Sequence, residues 1–122
     1  MAQILVVDDD LGMREWLTEV LEGAGHQVFT AQDGLEAKSL ALRMAPEILI
    51  TDISMPNEEG IGLMMAMRRS HPRLKVVVIS GTDAAGLQDA LLLGANATLR
   101  KPVSMKTVLQ CVGELSAGQP IH

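Results

Sequence analysis

The stretch "ILVVDDD", Ile4 to Asp10, runs four apolar residues directly into three aspartates. An uninterrupted apolar run of strand length reads as a strand buried on both faces, the pattern of a parallel sheet covered by helices on either side. The aspartates that end it repel one another. Two carboxylates about 4 Å apart cost about 1 kcal/mol in water and about 4 kcal/mol at the effective dielectric of a protein surface. Either the three point into water and cap the next helix, or a bound cation holds them.

Working outward, Gln27 to Thr30, Ile48 to Ile50, Leu74 to Ile79 and Ala97 to Arg100 read as four more strands, and segments of helical period separate them. Met13, Trp16, Leu17, Val20 and Leu21 form one stripe, about 140° wide at 100° per residue, which Gly23 and Gly25 terminate. Asp33 and Glu36 make a capping-box pattern for a second helix that ends at Pro46. A third runs from Ile61 to Arg69 and stops before Pro72; Thr82 or Asp83 opens a fourth, closed by Gly94; Ser104 caps a fifth from Met105 to Leu115. Strands alternating with helices imply right-handed crossovers and a doubly wound α/β domain of the flavodoxin-like (βα)5 type. For five strands the common order is 2-1-3-4-5, with ligands bound outside the carboxyl ends of the strands where the order reverses.

The 122 residues suit one domain, with 48% apolar and 20% charged residues as in ordinary globular chains. A net charge of -5, with the Lys and Arg residues read as unclustered, argues against direct nucleic-acid binding. The apolar runs, such as Val76 to Ile79, are too short to span a membrane, and no basic segment leads into an apolar one at the N-terminus; a cytoplasmic location without membrane contact is expected. Cys111 has no partner for a disulfide or a metal and is expected in a helix core. The eight methionines, Met64, Met65 and Met67 among them, read as core filling, and the three histidines as ordinary.

In this topology the first strand ends in Asp8, Asp9 and Asp10, the third in Asp52, the fourth in Ser80 and the fifth in Lys101-Pro102. Carboxylates from adjacent strand ends supply hard oxygen ligands for Mg2+, which usually takes one or two of them directly. Lys101 and Ser80 add a positive charge and a hydroxyl donor suited to a phosphoryl group, leaving Asp52 as the natural nucleophile. Asp10 is assigned to the helix N-cap, and Met55-Pro56 and Gly60 read as turn chemistry that shapes the loop after Asp52.

Through "ILVVDDD", "DISMPNEEG", "VVVISG" and "GANATLRKPV", nearly the whole chain resembles the receiver domain of bacterial two-component response regulators. The strand order is borrowed from this likeness rather than found in the residues. The resemblance implies Asp52 as phosphoacceptor, Ser80 as the switch hydroxyl and Lys101 as the phosphoryl-contacting lysine. It implies Asp9 and Asp52 as direct Mg2+ ligands, Asp8 acting through water, the backbone carbonyl of Ser54 completing the set, and a cis Lys101-Pro102 bond. It also implies a receiver over residues 1–116 followed by a tail or linker start at 117–122. Such a protein is no classical enzyme, although it catalyses its own phosphorylation and dephosphorylation. Its partners would be a sensor histidine kinase or phosphotransfer protein, docking near Met13 and Trp16, and a downstream output domain or protein.

Two departures stand out. Thr98 occupies the place, three residues before the lysine, where the family usually carries a switching aromatic, and Asn96 and Ala97 replace an acidic pair common in members that dimerise through the last helix and strand. Three alternatives remain at this level: a receiver fold that signals without phosphorylation, a haloacid dehalogenase-like phosphohydrolase, and a flavin module. The second would need an acid at position 54, which is Ser, and the third would bring phosphate against Asp8, Asp9 and Asp10.

Overall fold

The computed structural model describes residues 1–53, 60–81 and 84–116. Five strands, β1 (Gln3–Val7), β2 (Gln27–Ala31), β3 (Ile48–Asp52), β4 (Lys75–Ser80) and β5 (Ala97–Arg100), alternate with α1 (Leu11–Gly23), α2 (Gly34–Met44), α3 (Gly60–Ser70), α4 (Ala84–Leu92) and α5 (Met105–Ser116). All neighbours are parallel and the order is β2-β1-β3-β4-β5, as expected. The turn expected at Met55-Pro56, the Thr82 or Asp83 opening of α4 and the 117–122 tail lie outside the described residues. Among the described residues no helix is long and apolar enough to cross a membrane.

The double-sided burial read from the sequence has a direct counterpart. Ile4, Val6, Ile48, Ile50, Val77 and Ile79 pack against Leu17 and Leu21 of α1 and Val108 and Val112 of α5. Their strand neighbours Leu5, Val7, Leu49, Val76 and Val78 turn the other way, onto Ala37 and Ala41 of α2, Leu63, Met64 and Met67 of α3 and Leu87 and Ala90 of α4. The small residues of α2 let that helix approach the sheet closely, and each fully buried Leu or Ile contributes about 1.5–3 kcal/mol. In α1 only Leu17 and Leu21 are fully buried; Met13, Trp16 and Val20, at the edge of the stripe, are half-buried against the same cluster.

Helix ends follow local chemistry. Asp10 caps α1, its Oδ1 accepting from the Gly12 N–H at 3.1 Å, and Asp33 accepts from the Glu36 N–H at 2.9 Å. Glu36 reaches back to the Gln32 N–H at 2.7 Å, one residue before the cap, so the capping box closes around the preceding peptide. Helix α2 stops at Ala45, which takes a left-handed conformation with φ 48°, and Pro46 follows the break. A left-handed L-residue costs about 1–2 kcal/mol, of which Gly would recover part after its larger unfolded-state entropy. Ala45→Gly is therefore expected to raise stability by about 0.5–1 kcal/mol in urea unfolding.

Three sequence expectations need correction. Met65 is 45% exposed, because it lies about 100° around α3 from Met64 and on the face away from the sheet; Met1 and Met105 are also exposed. Cys111 is half-buried beside the α1–α5 core, where burial and then Glu114 push its thiol pKa up. His26 is not an ordinary surface histidine. Its Nδ1 accepts from the Ala2 N–H at 3.1 Å, tying the start of β1 to the turn before β2, and desolvation holds its pKa below the usual value.

Candidate functional site at the carboxyl ends of the strands

Because all five strands run the same way, Asp8, Asp52, Ser80 and Lys101 leave the sheet at one rim, on either side of the point where the order reverses between β1 and β3. Asp8 is 2% exposed. Its backbone N–H donates to Ala31 O at 3.2 Å, and its Oδ1 accepts from the Asp10 N–H at 2.9 Å. Desolvation pushes the Asp8 pKa up against the opposing pull of that hydrogen bond and of Lys101, while Asp52 and Asp9 add repulsion. Asp52 is buried at the end of β3, where Ile53 N–H donates to Ile79 O at 2.9 Å and anchors the strand end to β4.

Lys101 crosses this acidic rim. Its Nζ lies 3.0 Å from Asp52 Oδ2 and 3.8 Å from Asp8 Oδ2. Burial lowers the pKa of the ammonium, but its hydrogen bond to Asp52 and the charges of Asp8, Asp52 and Asp10 outweigh this and hold it above the ordinary value. The Lys101 N–H donates to Ser80 O at 2.8 Å, so the same strand pairing that aligns β5 on β4 brings the lysine beside the buried Ser80. Lys101-Pro102 is cis, as the resemblance implies.

Carboxylate oxygens of Asp8, Asp9 and Asp52 all come within 4.8 Å of one another. An all-oxygen, multiply anionic set of this kind fits a hard divalent ion such as Mg2+ and suits neither a thiolate- nor an imidazole-preferring metal. One lysine does not balance three carboxylates, which leaves a charge deficit that a cation offsets. The Ser54 carbonyl lies outside the described residues.

Several residues that shape the site carried no sequence signal strong enough to find them. Arg14 of α1 donates from Nη1 to the Asp8 carbonyl oxygen at 2.7 Å. Thr51 donates from Oγ1 to the Asp52 carbonyl at 3.0 Å. Gly60, read from sequence as turn chemistry, sits against β3 itself. A Cβ there would overlap the Asp52 carbonyl oxygen and stand 2.8 Å from Ile53 Cα. Its N–H donates to Ile53 O at 3.0 Å, joining the start of α3 to the strand end.

The departures also have places. Thr98 pairs with Val78 in the β4–β5 register and is half-buried. Phe29 and Trp16, the only aromatics, pack against the two opposite core clusters. Asn96 Oδ1 accepts from the Val76 N–H at 2.8 Å and from Arg68 Nη2 at 2.9 Å, so the residue replacing an acid clamps α3 to the entrance of β5. The sequence reading of unclustered positive charge is corrected here: Arg68, Arg69, Arg73 and Lys75 gather where α3 passes into β4, at the opposite end of the sheet from the acidic rim.

Residues 4–113 match the family model of the response regulator receiver domain. The response regulator MprA of Mycobacterium sp. (strain KMS) is 34% identical over 108 residues, covering 88% of this chain and 47% of its own. The virulence transcriptional regulatory protein PhoP of Salmonella typhi is 34% identical over 112 residues, covering 89% of this chain and 49% of its own. The chain thus spans about half the length of the curated relatives it matches. Among solved structures, a response regulator receiver domain protein from Clostridium thermocellum superposes with a TM-score of 0.92 at 26% identity, covering 97% of this chain and 96% of its own. The chemotaxis protein CheY4 of Vibrio cholerae does so with a TM-score of 0.87 at 29% identity, covering 94% and 98%.

Proposed function

Since the chain belongs to the response regulator receiver domain family, a signalling module of two-component systems rather than a classical enzyme, we propose that Asp52 is its phosphoacceptor. The observation that carries this reading is Lys101 reaching Asp52 at 3.0 Å across a rim where three carboxylates converge. Asp52 attacks the phosphorus of a phosphohistidine on a sensor kinase or phosphotransfer protein. The P–O bond to Asp52 forms as the P–N bond breaks, and the electron pair goes to the imidazole nitrogen. The product is an acyl phosphate, which water later cleaves.

Each residue has a distinct part. Lys101 stabilises the charge that gathers on the phosphoryl oxygens, and the Ser80 hydroxyl donates to one of them once transfer is complete. Asp9 and Asp52, with Asp8 through water and the Ser54 carbonyl, would hold Mg2+. When bound, that ion offsets the carboxylate charge and draws negative charge from the incoming phosphoryl group. The receiver occupies residues 1–116, works in the cytoplasm and passes its state to an output domain or protein. With Thr98 in place of an aromatic, Ser80 and the segment after it carry the switch.

Incubation with acetyl phosphate tests this. With Mg2+ the wild-type protein is expected to gain a single phosphoryl adduct by intact mass, and Asp52→Asn none. Labelling that persists in Asp52→Asn, or that ignores chelation of Mg2+, contradicts the assignment.

A further inference from the structure

Asp8 and Asp9 are adjacent in sequence yet are fixed in different ways. The Asp8 carboxylate is held from its side chain, by the Asp10 N–H at 2.9 Å and by Lys101 Nζ at 3.8 Å. Asp9 is exposed, and among the described residues no hydrogen bond or ion pair holds its carboxylate, so the backbone sets where its side chain starts and only its own rotamer does the rest. Among the described residues the peptide that links the two has one anchor, the Arg14 Nη1 donating to the Asp8 carbonyl oxygen at 2.7 Å.

Arg14 is itself well placed to hold that peptide. Its N–H donates to Asp10 O at 3.1 Å, closing the first turn of α1, and the Thr18 hydroxyl donates to Arg14 O at 2.8 Å. The guanidinium therefore projects back from a rigid helical turn onto the strand end, as a planar donor whose geometry is less adaptable than that of an ammonium. A charge-assisted hydrogen bond of this length is among the stronger ones a backbone carbonyl receives.

On the receiver reading above, which it depends on, we infer that Arg14 is a positioning residue for the metal site: it fixes the Asp8–Asp9 peptide and so orients the Asp9 carboxylate toward Asp8 and Asp52. It touches neither metal nor phosphoryl group. Groups that orient metal ligands from behind typically cost 10–100-fold in metal affinity when removed, and Arg14→Met, which keeps the apolar stem and loses the donor, is expected to weaken Mg2+ binding about tenfold.

Calorimetric titration of Mg2+ into the wild type, Arg14→Met, Arg14→Lys and Arg43→Gln tests this, with labelling by acetyl phosphate at saturating Mg2+ as a second readout. Arg43 is an exposed residue in the last turn of α2 and controls for the lost positive charge. The expected pattern is a roughly tenfold loss for Arg14→Met, substantial recovery in Arg14→Lys, which still carries a donor, wild-type affinity in Arg43→Gln, and a near-normal labelling rate for Arg14→Met once Mg2+ is saturating. Wild-type affinity in Arg14→Met, or an equal loss in Arg43→Gln, overturns the inference while leaving the metal site intact. Absence of Mg2+ binding in the wild type overturns the receiver reading itself. Should Arg14→Met fail to fold, Arg14→Ala, whose side chain carries no donor, decides by the same titration.

Discussion

Gly60→Ala is expected to destabilise the protein by about 2–4 kcal/mol and to slow phosphoryl acceptance at Asp52 by tenfold or more. The reason is steric and local. The added Cβ would overlap the Asp52 carbonyl oxygen and crowd Ile53 Cα and Asp52 C at 2.8 and 2.9 Å, atoms of a strand backbone that cannot rotate aside. Either α3 withdraws from β3, breaking the bond from Gly60 N–H to Ile53 O, or the Asp52 peptide moves away from the hydroxyl of Thr51. Both shift Asp52, the proposed phosphoacceptor. Gly62, two residues on in the same helix, has open space where a methyl would stand, with nothing within 4 Å, and Gly62→Ala is expected to be neutral or stabilising by up to about 1 kcal/mol. Urea unfolding of both variants, with labelling rates by intact mass, checks the contrast; equal stabilities would refute it.

Asp8→Asn is expected to do the reverse to stability, raising it by about 1–2 kcal/mol in chelator at neutral pH while removing most of the stabilisation by Mg2+. Burial holds the Asp8 pKa above its unfolded value. The folded protein therefore keeps this proton to higher pH than the unfolded chain does. Its favourable contribution is complete below the unfolded value and is lost as pH rises through the folded one, so the ionised group is a liability at neutral pH. Asn retains an acceptor for the Asp10 N–H and removes the charge. The advantage of the variant should shrink as the wild type is acidified toward the ordinary carboxylate range. For Mg2+, an ion at 100 times its Kd stabilises by about 2.7 kcal/mol, and every tenfold loss of affinity forfeits up to about 1.4 kcal/mol of that. Thermal scans with and without Mg2+ across pH measure both effects. A destabilised variant in chelator would show that the Lys101 pairing outweighs the desolvation of Asp8.

The parts of this molecule that the sequence made legible are those governed by short periodicities and strand ends. Ile4 to Val7 announce a strand buried on both sides because nothing polar interrupts them, and once the order is known Asp8, Asp52, Ser80 and Lys101 must share a rim. The N-caps at Asp10 and Asp33 were readable because the residue's own side chain makes the bond. What escaped was set by contacts across the fold. Gly60 looked like turn chemistry because its constraint comes from the Asp52 carbonyl, and Arg14 carried no signal because its acceptor is a main-chain oxygen. Met65 and Met64 are chemically alike and differ only in which way α3 turns them. His26 and Asn96 each accept a backbone N–H from a distant segment, a role that no local pattern encodes.

Reduction of the acetyl phosphate-treated protein with borohydride, followed by peptide mass mapping, tests the central claim most directly, because an acyl phosphate is reduced to the alcohol while a free carboxylate is untouched. Homoserine is expected at position 52 in samples treated with Mg2+, and Asp at that position after chelation. Homoserine at position 8 or 9, or an unmodified Asp52 in a protein that carries the phosphoryl adduct, would contradict it.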